Sequence, residues 1–264
     1  MPSYAITGAA RGIGFEFVNQ LSADSGNTIF ALVRSGATAN KLAELGRHNI
    51  HIIEADITDN KALKNAAAEV SRSTGNSLDY LINNAGFVEP ERARLTLDSY
   101  PSEELLTKDL LDSFNVNVVG VIHTINYFLP LLKNGKAKKV ITITSGLGDL
   151  DVTMGADFPT AAPYSISKAA VNMVNAKYAA QYKSEGFVFL ALSPGLVDTS
   201  TRAPTQKELE EFMAMVERFK NVYPDFTGPI MPETSVRMQL EVINRMTIDD
   251  TGAFISHKGN KEWL

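Results

Sequence analysis

A tyrosine and a lysine one helical turn apart are the residues of this 264-residue chain whose spacing first suggests chemistry. Tyr164 and Lys168 are separated by four positions, so on a helix their side chains share one face. A tyrosine hydroxyl ordinarily has a pKa of about 10. A neighbouring ammonium group favours the phenolate, so we expect Lys168 to lower the pKa of Tyr164 towards the range useful for acid–base catalysis. The alternative is an exposed tyrosine beside a solvated lysine.

A glycine-rich turn near the N-terminus is a second candidate site. Residues 7–14 read T-G-A-A-R-G-I-G, after a short apolar strand and before a helical pattern. Gly8 permits a tight turn, Gly12 removes a Cβ where a pyrophosphate would approach, and Gly14 lets the helix pack on the sheet. Free N–H groups and the helix dipole favour an anionic phosphate there. The spacing differs from the commoner G-x-G-x-x-G, and the alternative is simply a tight turn.

The end of the second predicted strand indicates which dinucleotide binds. An NAD enzyme usually carries an acidic residue there to bind the ribose 2′-hydroxyl. Residues 31–35 read A-L-V-R-S, with Arg34 and no acid, and Arg11 lies inside the glycine turn. Two guanidinium groups suit a 2′-phosphate, which they bind with charge-assisted hydrogen bonds. We therefore expect NADP(H); the alternative is that both arginines are ordinary solvated side chains.

An alternation of strands and helices would position these residues. Apolar runs predict strands over 4–7, 28–33, 50–54, 78–82, 140–144, 187–192 and 253–256. Helical periodicity predicts helices over 13–23, 61–72, 102–132, 163–183 and 232–246. Strands separated by helices imply parallel pairing with right-handed crossovers. We expect an α/β fold with a doubly wound parallel sheet of the Rossmann type, in a single domain over residues 1–264. Its ligand should lie at the carboxyl ends of the strands.

Two segments interrupt that alternation. The polar, helix-prone segment 199–226 has Met213 and Met215 among aromatic residues. We expect a substrate lid there; the alternative is a plain amphipathic helix. The stretch 148–160 is acidic and lengthens the chain between the fifth strand and Tyr164. It either shapes the substrate mouth or forms a solvated loop.

Composition excludes several classes of function. The net charge is −5, so the chain lacks the bulk basic field that favours nucleic acid. The absence of cysteine excludes disulfides and thiolate metal sites, and the four histidines share no metal-ligand spacing on a helix. No apolar run approaches the roughly 20 residues that span a bilayer, and no room for a signal peptide precedes the first strand. We expect a cytoplasmic protein with no metal, nucleic-acid or membrane partner.

Taken in order, the motifs resemble those of the short-chain dehydrogenase/reductase family. The motifs are the residue 7–14 turn, Asn83-Asn84-Ala85-Gly86, Asn117-Val-Val-Gly120, Ser145, Tyr164-Ser-Ile-Ser-Lys168 and Pro194-Gly195. They occupy residues 7–199, most of the chain. The chain is too short for the longer C-terminal domain of the epimerase and dehydratase branch. It departs from much of the family in the longer spacing from Ser145 to Tyr164.

The resemblance implies a catalytic set of Asn117, Ser145, Tyr164 and Lys168. Tyr164 would donate the proton and Ser145 would hydrogen-bond the substrate oxygen. Asn117 would hold a water that supplies protons to Lys168, with Asn115 as the fallback. The expected activity is hydride transfer between a nicotinamide and a small-molecule carbonyl or alcohol. The alternative is a non-catalytic NADP(H)-sensing or scaffold protein on the same fold.

The resemblance also implies a set of cofactor-binding residues. Asp56 would meet the adenine amine, Asn84 and Gly86 would border the adenine ribose, and Lys168 would bind the nicotinamide ribose. The expected set is Gly8, Arg11, Gly12, Ile13, Gly14, Arg34, Asp56, Ile57, Asn84, Gly86, Tyr164, Lys168, Pro194, Gly195, Val197 and Thr199. The last four would hold the carboxamide side. The family commonly pairs through two helices that correspond to 102–132 and 163–183, so we expect a homo-oligomer, either a dimer or a tetramer.

The arginine pair gives a first prediction. NADPH should bind more tightly than NADH, because Arg11 and Arg34 stand where an acid would bind the ribose. Fluorescence titration with both cofactors measures this, and Arg34→Asp should reverse the preference. Equal affinities, or tighter binding of NADH by the unmodified protein, would contradict it.

Overall fold

A single parallel sheet organises the protein. The computed structural model describes residues 1–200 and 202–264. The strands are β1 Ser3–Thr7, β2 Thr28–Val33, β3 Ile50–Glu54, β4 Tyr80–Asn83, β5 Lys139–Ile143, β6 Val188–Ser193 and β7 Phe254–Ser256. Their order is β3-β2-β1-β4-β5-β6-β7, and adjacent strands pair in parallel. The strand order reverses direction between β1 and β4, so the α/β, doubly wound, single-domain prediction is confirmed.

Helices cover both faces of the sheet. They are α1 Gly12–Ser22, α2 Asn40–Glu44, α3 Asn60–Thr74, α4 Glu103–Phe114, α5 Val121–Asn134, α6 Leu150–Gly155, α7 Ala162–Tyr182, α8 Gln206–Lys220 and α9 Pro232–Arg245. One apolar cluster joins the sheet to α3, α5 and α7, and a second joins its other face to α1 and α9. This double covering explains why β1 and β6 are buried along their whole length.

The predicted helix over 102–132 is interrupted. Helices α4 and α5 are separated by a π-helical segment, Asn115–Gly120. Two contacts favour the wider turn: Asn117 hydrogen-bonds the backbone of Phe87, and a Cβ at Gly120 would lie 2.9 Å from Ile57 Cδ1. Such π segments are frequent at functional sites.

Part of the acidic stretch 148–160 is helical. Asp149 caps α6 by accepting a hydrogen bond from the N–H of Asp151. Val152 and Ala156 are buried in a third apolar cluster that also contains side chains of α8. A purely solvated loop was therefore the wrong alternative, because the apolar side chains of this segment have partners that are distant in sequence.

The helical stretch Glu103–Asn134 is long and apolar enough to cross a membrane by length and composition alone. The prediction that no apolar run approaches the length of a membrane span was therefore wrong for this stretch. More than half of its most apolar window, 56%, is buried inside the fold. Core helices of folded proteins pass the same test, so this is weak evidence for a membrane span.

Candidate active site

The predicted residues lie at the carboxyl ends of the strands, most of them where β1, β4, β5 and β6 end. The Thr7 hydroxyl oxygen accepts hydrogen bonds from the N–H groups of Asn84 and Ala85, at 3.0 and 3.1 Å. The Asn84 side-chain amide donates to the carbonyls of Thr7 and Gly8, at 3.0 and 3.2 Å. Asn84 therefore fixes the glycine turn to the end of β4, and its amide nitrogen is occupied by that task.

The glycine turn has the features of an anion site. Helix α1 begins at Gly12, no side chain caps it, and its first turn has no acidic residue. Its first N–H groups therefore lack partners from within the helix and suit a phosphate. A Cβ at Gly14 would lie 2.3 Å from the Gly8 carbonyl oxygen, so only glycine fits. Ile13 packs on the sheet, and Thr199 from the loop after β6 approaches Gly12. These features fit a dinucleotide.

The loop after β2, where the sequence predicts the ribose site, lies beside an acidic residue. Arg11 and Arg34 are exposed. Glu54, at the end of β3, accepts a hydrogen bond of 2.7 Å from the N–H of Gly36. The sequence predicted no acid here because β2 itself ends without one. The neighbouring strand β3 nevertheless supplies Glu54, which pairs with Val33 at the end of β2.

Tyr164 and Lys168 lie on α7, as predicted. The Lys168 ammonium is 5.5 Å from the centroid of the Tyr164 ring and donates a hydrogen bond of 2.9 Å to the Ile143 carbonyl. Lys168 is only 4% exposed, and burial lowers its pKa to about 8. Burial raises the pKa of Tyr164 to about 12, and the Ser145 hydroxyl partly opposes that rise.

The expected lowering of the Tyr164 pKa is therefore wrong for this structure. Burial disfavours the charged phenolate form of Tyr164, and this effect is larger than the stabilisation that the hydrogen bond with Ser145 provides. The ammonium group of Lys168 lies over the tyrosine ring, and the same burial disfavours its charge. Tyr164 is consequently a protonated hydroxyl throughout the neutral range, which suits a proton donor.

Ser145 lies immediately beyond β5 and beside Tyr164. Its hydroxyl oxygen accepts a hydrogen bond of 3.1 Å from the N–H of Leu147. The neighbouring Thr144 hydroxyl instead donates to Asn172 on α7, at 2.6 Å. Of the two adjacent hydroxyls, Ser145 is thus the one available to a substrate at the tyrosine.

Asn117 is buried at 1% exposure within the π-helical segment. Its amide exchanges two hydrogen bonds of 2.8 Å with the backbone of Phe87 and donates a third, of 2.9 Å, to Ser167. A Cβ at Gly86 would lie 3.4 Å from the Asn117 oxygen and 3.6 Å from the Lys168 nitrogen. Asn117 and Lys168 therefore flank the end of β4. The fallback, Asn115, is exposed.

The loop after β6 is rigidly held at the predicted carboxamide position. The Pro194 carbonyl accepts a hydrogen bond of 2.7 Å from Ser235, and Val197 pairs with Ile230. Gly195 has φ +82°, and a Cβ there would lie 2.7 Å from His257 Cε1. His257 is buried, and this burial lowers its pKa to about 4, so the ring is neutral.

The two adenine-side residues lie at the end of β3. Asp56 uses one carboxylate oxygen to accept from the N–H and the hydroxyl of Thr58, at 2.9 and 2.8 Å. Ile57 is buried and touches Gly120 of the π-helical segment. Ile57 therefore packs against the segment that carries Asn117.

A half-buried ion pair helps to position the start of α7, although nothing in the sequence pattern marks it. Arg92 binds Asp109 through two hydrogen bonds, at 2.7 and 2.8 Å. The adjacent Ala93 carbonyl accepts a 2.7 Å hydrogen bond from the N–H of Ala161. Ala161 has a left-handed conformation and caps α7. The loop after β4 thereby determines where α7, the helix that carries Tyr164, begins.

The predicted lid is a capped helix with an apolar underside. Residue 201 of the predicted segment 199–226 lies outside the described residues. Thr205 and Glu208 form a reciprocal capping box at the start of α8. Val216 and Phe219 are buried in the third apolar cluster together with Val152 of α6. Arg94 pairs with Glu211 at the exposed rim of this arrangement.

Known proteins resemble this chain in sequence and in fold. A family model described as short chain dehydrogenase matches residues 3–210. The chain is 48% identical to the short-chain dehydrogenase/reductase atnB of Arthrinium sp and 44% identical to the short chain dehydrogenase virK of Hypocrea virens. Each alignment covers 100% of both proteins.

Solved structures show the same architecture. An NADPH-bound carbonyl reductase from chicken fatty liver superposes with a TM-score of 0.79 at 28% identity, over 98% of each chain. The carbonyl reductase Sniffer of D. melanogaster also gives a TM-score of 0.79, at 24% identity and over 98% of each chain, which supports the fold.

The buried lysine predicts a pH dependence of stability. The ordinary lysine pKa of 10.5 falls to about 8 in the folded protein. Between these values the unfolded chain binds more protons, so the stability of the cofactor-free protein should rise with pH. The slope should approach 1.4 kcal/mol per pH unit, to order of magnitude.

Urea unfolding of the unmodified protein and of Lys168→Met, between about pH 8 and pH 10, measures the effect. The unfolding free energy of the unmodified protein minus that of Lys168→Met should increase across that window. The window stops at the ordinary tyrosine pKa because the raised pKa of Tyr164 acts in the opposite sense above it. A difference that stays flat would contradict the desolvated lysine.

Proposed function

The chain belongs to the short-chain dehydrogenase family, and on that basis we propose that it is an NADP(H)-dependent reductase of small-molecule carbonyl compounds. The observation that carries the proposal is the juxtaposition of Ser145, Tyr164 and Lys168 at the carboxyl end of the sheet, beside a glycine turn suited to phosphate. The NADPH bound to the carbonyl reductase from chicken fatty liver supports the choice of cofactor.

Each residue near the reacting carbonyl has a distinct task. A bound nicotinamide supplies the hydride to the carbonyl carbon. Tyr164 donates its proton to the carbonyl oxygen as negative charge develops there, and Ser145 stabilises that charge by donating a hydrogen bond. A hydroxyl whose pKa is raised to about 12 by burial is protonated at neutral pH, as a proton donor to the carbonyl oxygen must be.

Lys168 and Asn117 would restore the proton. The lysine pKa of about 8 lies close to neutrality, so the group can release and regain a proton in the working range. Asn117, which flanks the same glycine, would hold the connecting water. Lys168 would also bind the nicotinamide ribose, and Thr199 with Gly195 would hold the carboxamide. Asp56 would bind the adenine, and the residues of the glycine turn the pyrophosphate.

The tyrosine gives the decisive test. Tyr164→Phe removes only a hydroxyl, so folding and NADPH binding should survive. Turnover should fall roughly 100-fold or more, the scale of general acid catalysis. A panel of ketones and aldehydes followed by NADPH absorbance identifies a substrate, and single-turnover hydride transfer then measures the effect.

Two matched variants separate the roles. Ser145→Ala should lower turnover with little change in cofactor affinity, whereas Thr144→Ala removes the adjacent hydroxyl that bonds Asn172 and should spare the chemistry. Normal hydride transfer by Tyr164→Phe on a verified substrate would refute the assignment. Binding of NADPH with no carbonyl turned over would favour a sensing or scaffold role.

Self-association through α4 and α7 is part of the proposal. The two helices pack together and expose four large apolar side chains, Leu111 and Phe114 on α4 and Ile166 and Met173 on α7. Adjacent exposed apolar side chains favour an interface between copies.

Light scattering should therefore give a multiple of the 28.7 kDa chain mass at micromolar concentration. Leu111→Glu should shift the mass towards the monomer because it buries a charge in the interface. Leu97→Glu, at an exposed apolar position outside both helices, is the control. A monomer mass for the unmodified protein would exclude the interface.

A further inference from the structure

The segment that follows β7, which we call the tail, packs back against the fold at Trp263. Trp263, the single tryptophan of the chain, is the penultimate residue and only 3% exposed. Its ring stacks on Phe254 of β7, with centroids 4.3 Å apart. The turn before it is fixed by a 2.7 Å hydrogen bond from the N–H of Ser256 to the Asn260 carbonyl. The tail is therefore held at its start by the turn between Ser256 and Asn260 and at its far end by the buried indole.

Trp263 supports the turn that carries the substrate-binding hydroxyl. A Cβ at Gly146 would lie 2.7 Å from the Trp263 Cβ and 2.9 Å from its Cγ, so the Trp263 side chain packs directly on the residue after Ser145. The N–H of Gly146 donates a 3.0 Å hydrogen bond to Ser193 at the end of β6. The turn is thus confined between β6 and the tail.

The same tryptophan also contacts the proposed lid. It belongs to the buried cluster that contains Val152 of α6 and Val216 and Phe219 of α8. Burial raises the pKa of Tyr223, which follows α8, and a polar contact with the backbone of Trp263 opposes that rise. One residue therefore touches the Ser145 turn and the segment 206–226.

We propose that Trp263 is a positioning residue for the reaction, which holds the Ser145 turn and the segment 206–226 against each other and so sets the geometry of the substrate mouth. This inference rests on the proposed carbonyl reduction. Trp263 itself touches no reacting atom; it acts through Ser145 and through the lid.

Two sets of contacts hold the Ser145 turn and the segment 206–226 near each other, and the buried Trp263 contacts should be stronger than the exposed ion pair. At the rim, the side chains of Arg94 and Glu211 are 44% and 35% exposed, and ion pairs of that kind contribute little. A buried tryptophan removes a large apolar area from water, and an aromatic stack adds to it. Removing the indole should loosen both the Ser145 turn and the segment 206–226, whereas removing the ion pair should have a small effect.

The experiment compares Trp263→Ala with Trp263→Phe. In Trp263→Ala, kcat for carbonyl reduction should fall roughly 10- to 100-fold, the effect of a misplaced reacting group. The NADPH dissociation constant should stay unchanged, because the glycine turn lies on β1 and α1. Amide hydrogen exchange should accelerate over 206–220 and stay unchanged over 12–22. Trp263→Phe should restore most of the turnover, because it retains an aromatic ring on Phe254.

A second variant separates positioning from simple loss of stability. Phe187→Ala removes another fully buried aromatic side chain, which lies just before β6 at the amino end of the strands, away from the Ser145 turn. Compared at conditions where each variant is folded, it should retain turnover and normal exchange over 206–220. Equal losses in Phe187→Ala, or normal turnover and exchange in Trp263→Ala, would overturn the inference.

The two proposals fail in distinguishable ways. If the unmodified protein reduces no carbonyl, the proposed function fails, and hydrogen exchange alone decides whether Trp263 couples the two segments. If Tyr164→Phe is inactive while Trp263→Ala is normal, the function stands and the positioning role is wrong. The single tryptophan adds a readout: its fluorescence should change when NADP⁺ and a substrate analogue bind the unmodified protein.

Discussion

The hydrogen bond from the Lys168 ammonium to the Ile143 carbonyl anchors the arrangement around it. A buried lysine with so few polar partners is costly unless its charge is relieved or bound. Gly86, in the loop after β4, lies close to the nitrogen: a Cβ there would be 3.6 Å from it and 3.4 Å from the Asn117 oxygen. The end of β5 supplies the Ile143 carbonyl, two residues before Ser145. Such a poorly compensated charge is typical of a functional site, and the proposed ribose contacts would supply the missing partners.

Precision at this site comes from contacts between loops more than from the sheet itself. The sheet brings the strand ends to one edge, but the Arg92–Asp109 pair and the Ala93–Ala161 hydrogen bond decide where α7 starts. On the other side of the mouth, the turn after Ser145 is confined by β6 and by the tail. Reactions that need groups placed to within an ångström depend on such supporting contacts. Tyr164 and Ser145 are thus held by different parts of the chain.

The features that sequence predicts are those encoded over short distances. The strand and helix periods, the glycine turn and the four-residue spacing of Tyr164 and Lys168 are local, and the structure reproduces them. The pKa of Tyr164 was predicted with the wrong sign because spacing reveals a neighbour but not the burial of both groups. Glu54 and Trp263 escaped notice for a related reason: their partners are set by strand pairing and by the path of the tail. The break at Asn117 likewise depends on the backbone of Phe87, which is thirty residues away in sequence.

The position of Glu54 bears on the proposed cofactor preference. One of its carboxylate oxygens accepts the Gly36 N–H, which directs the acid along the loop after β2. A carboxylate accepts several hydrogen bonds, so the bond from Gly36 leaves acceptor capacity on Glu54 for a ribose hydroxyl. A 2′-phosphate nearby would meet one carboxylate and two exposed guanidinium groups, Arg11 and Arg34, so the local balance of charge favours the phosphate. Glu54 thus weakens the argument for a 2′-phosphate, and the proposed preference for NADP(H) depends on the two arginines.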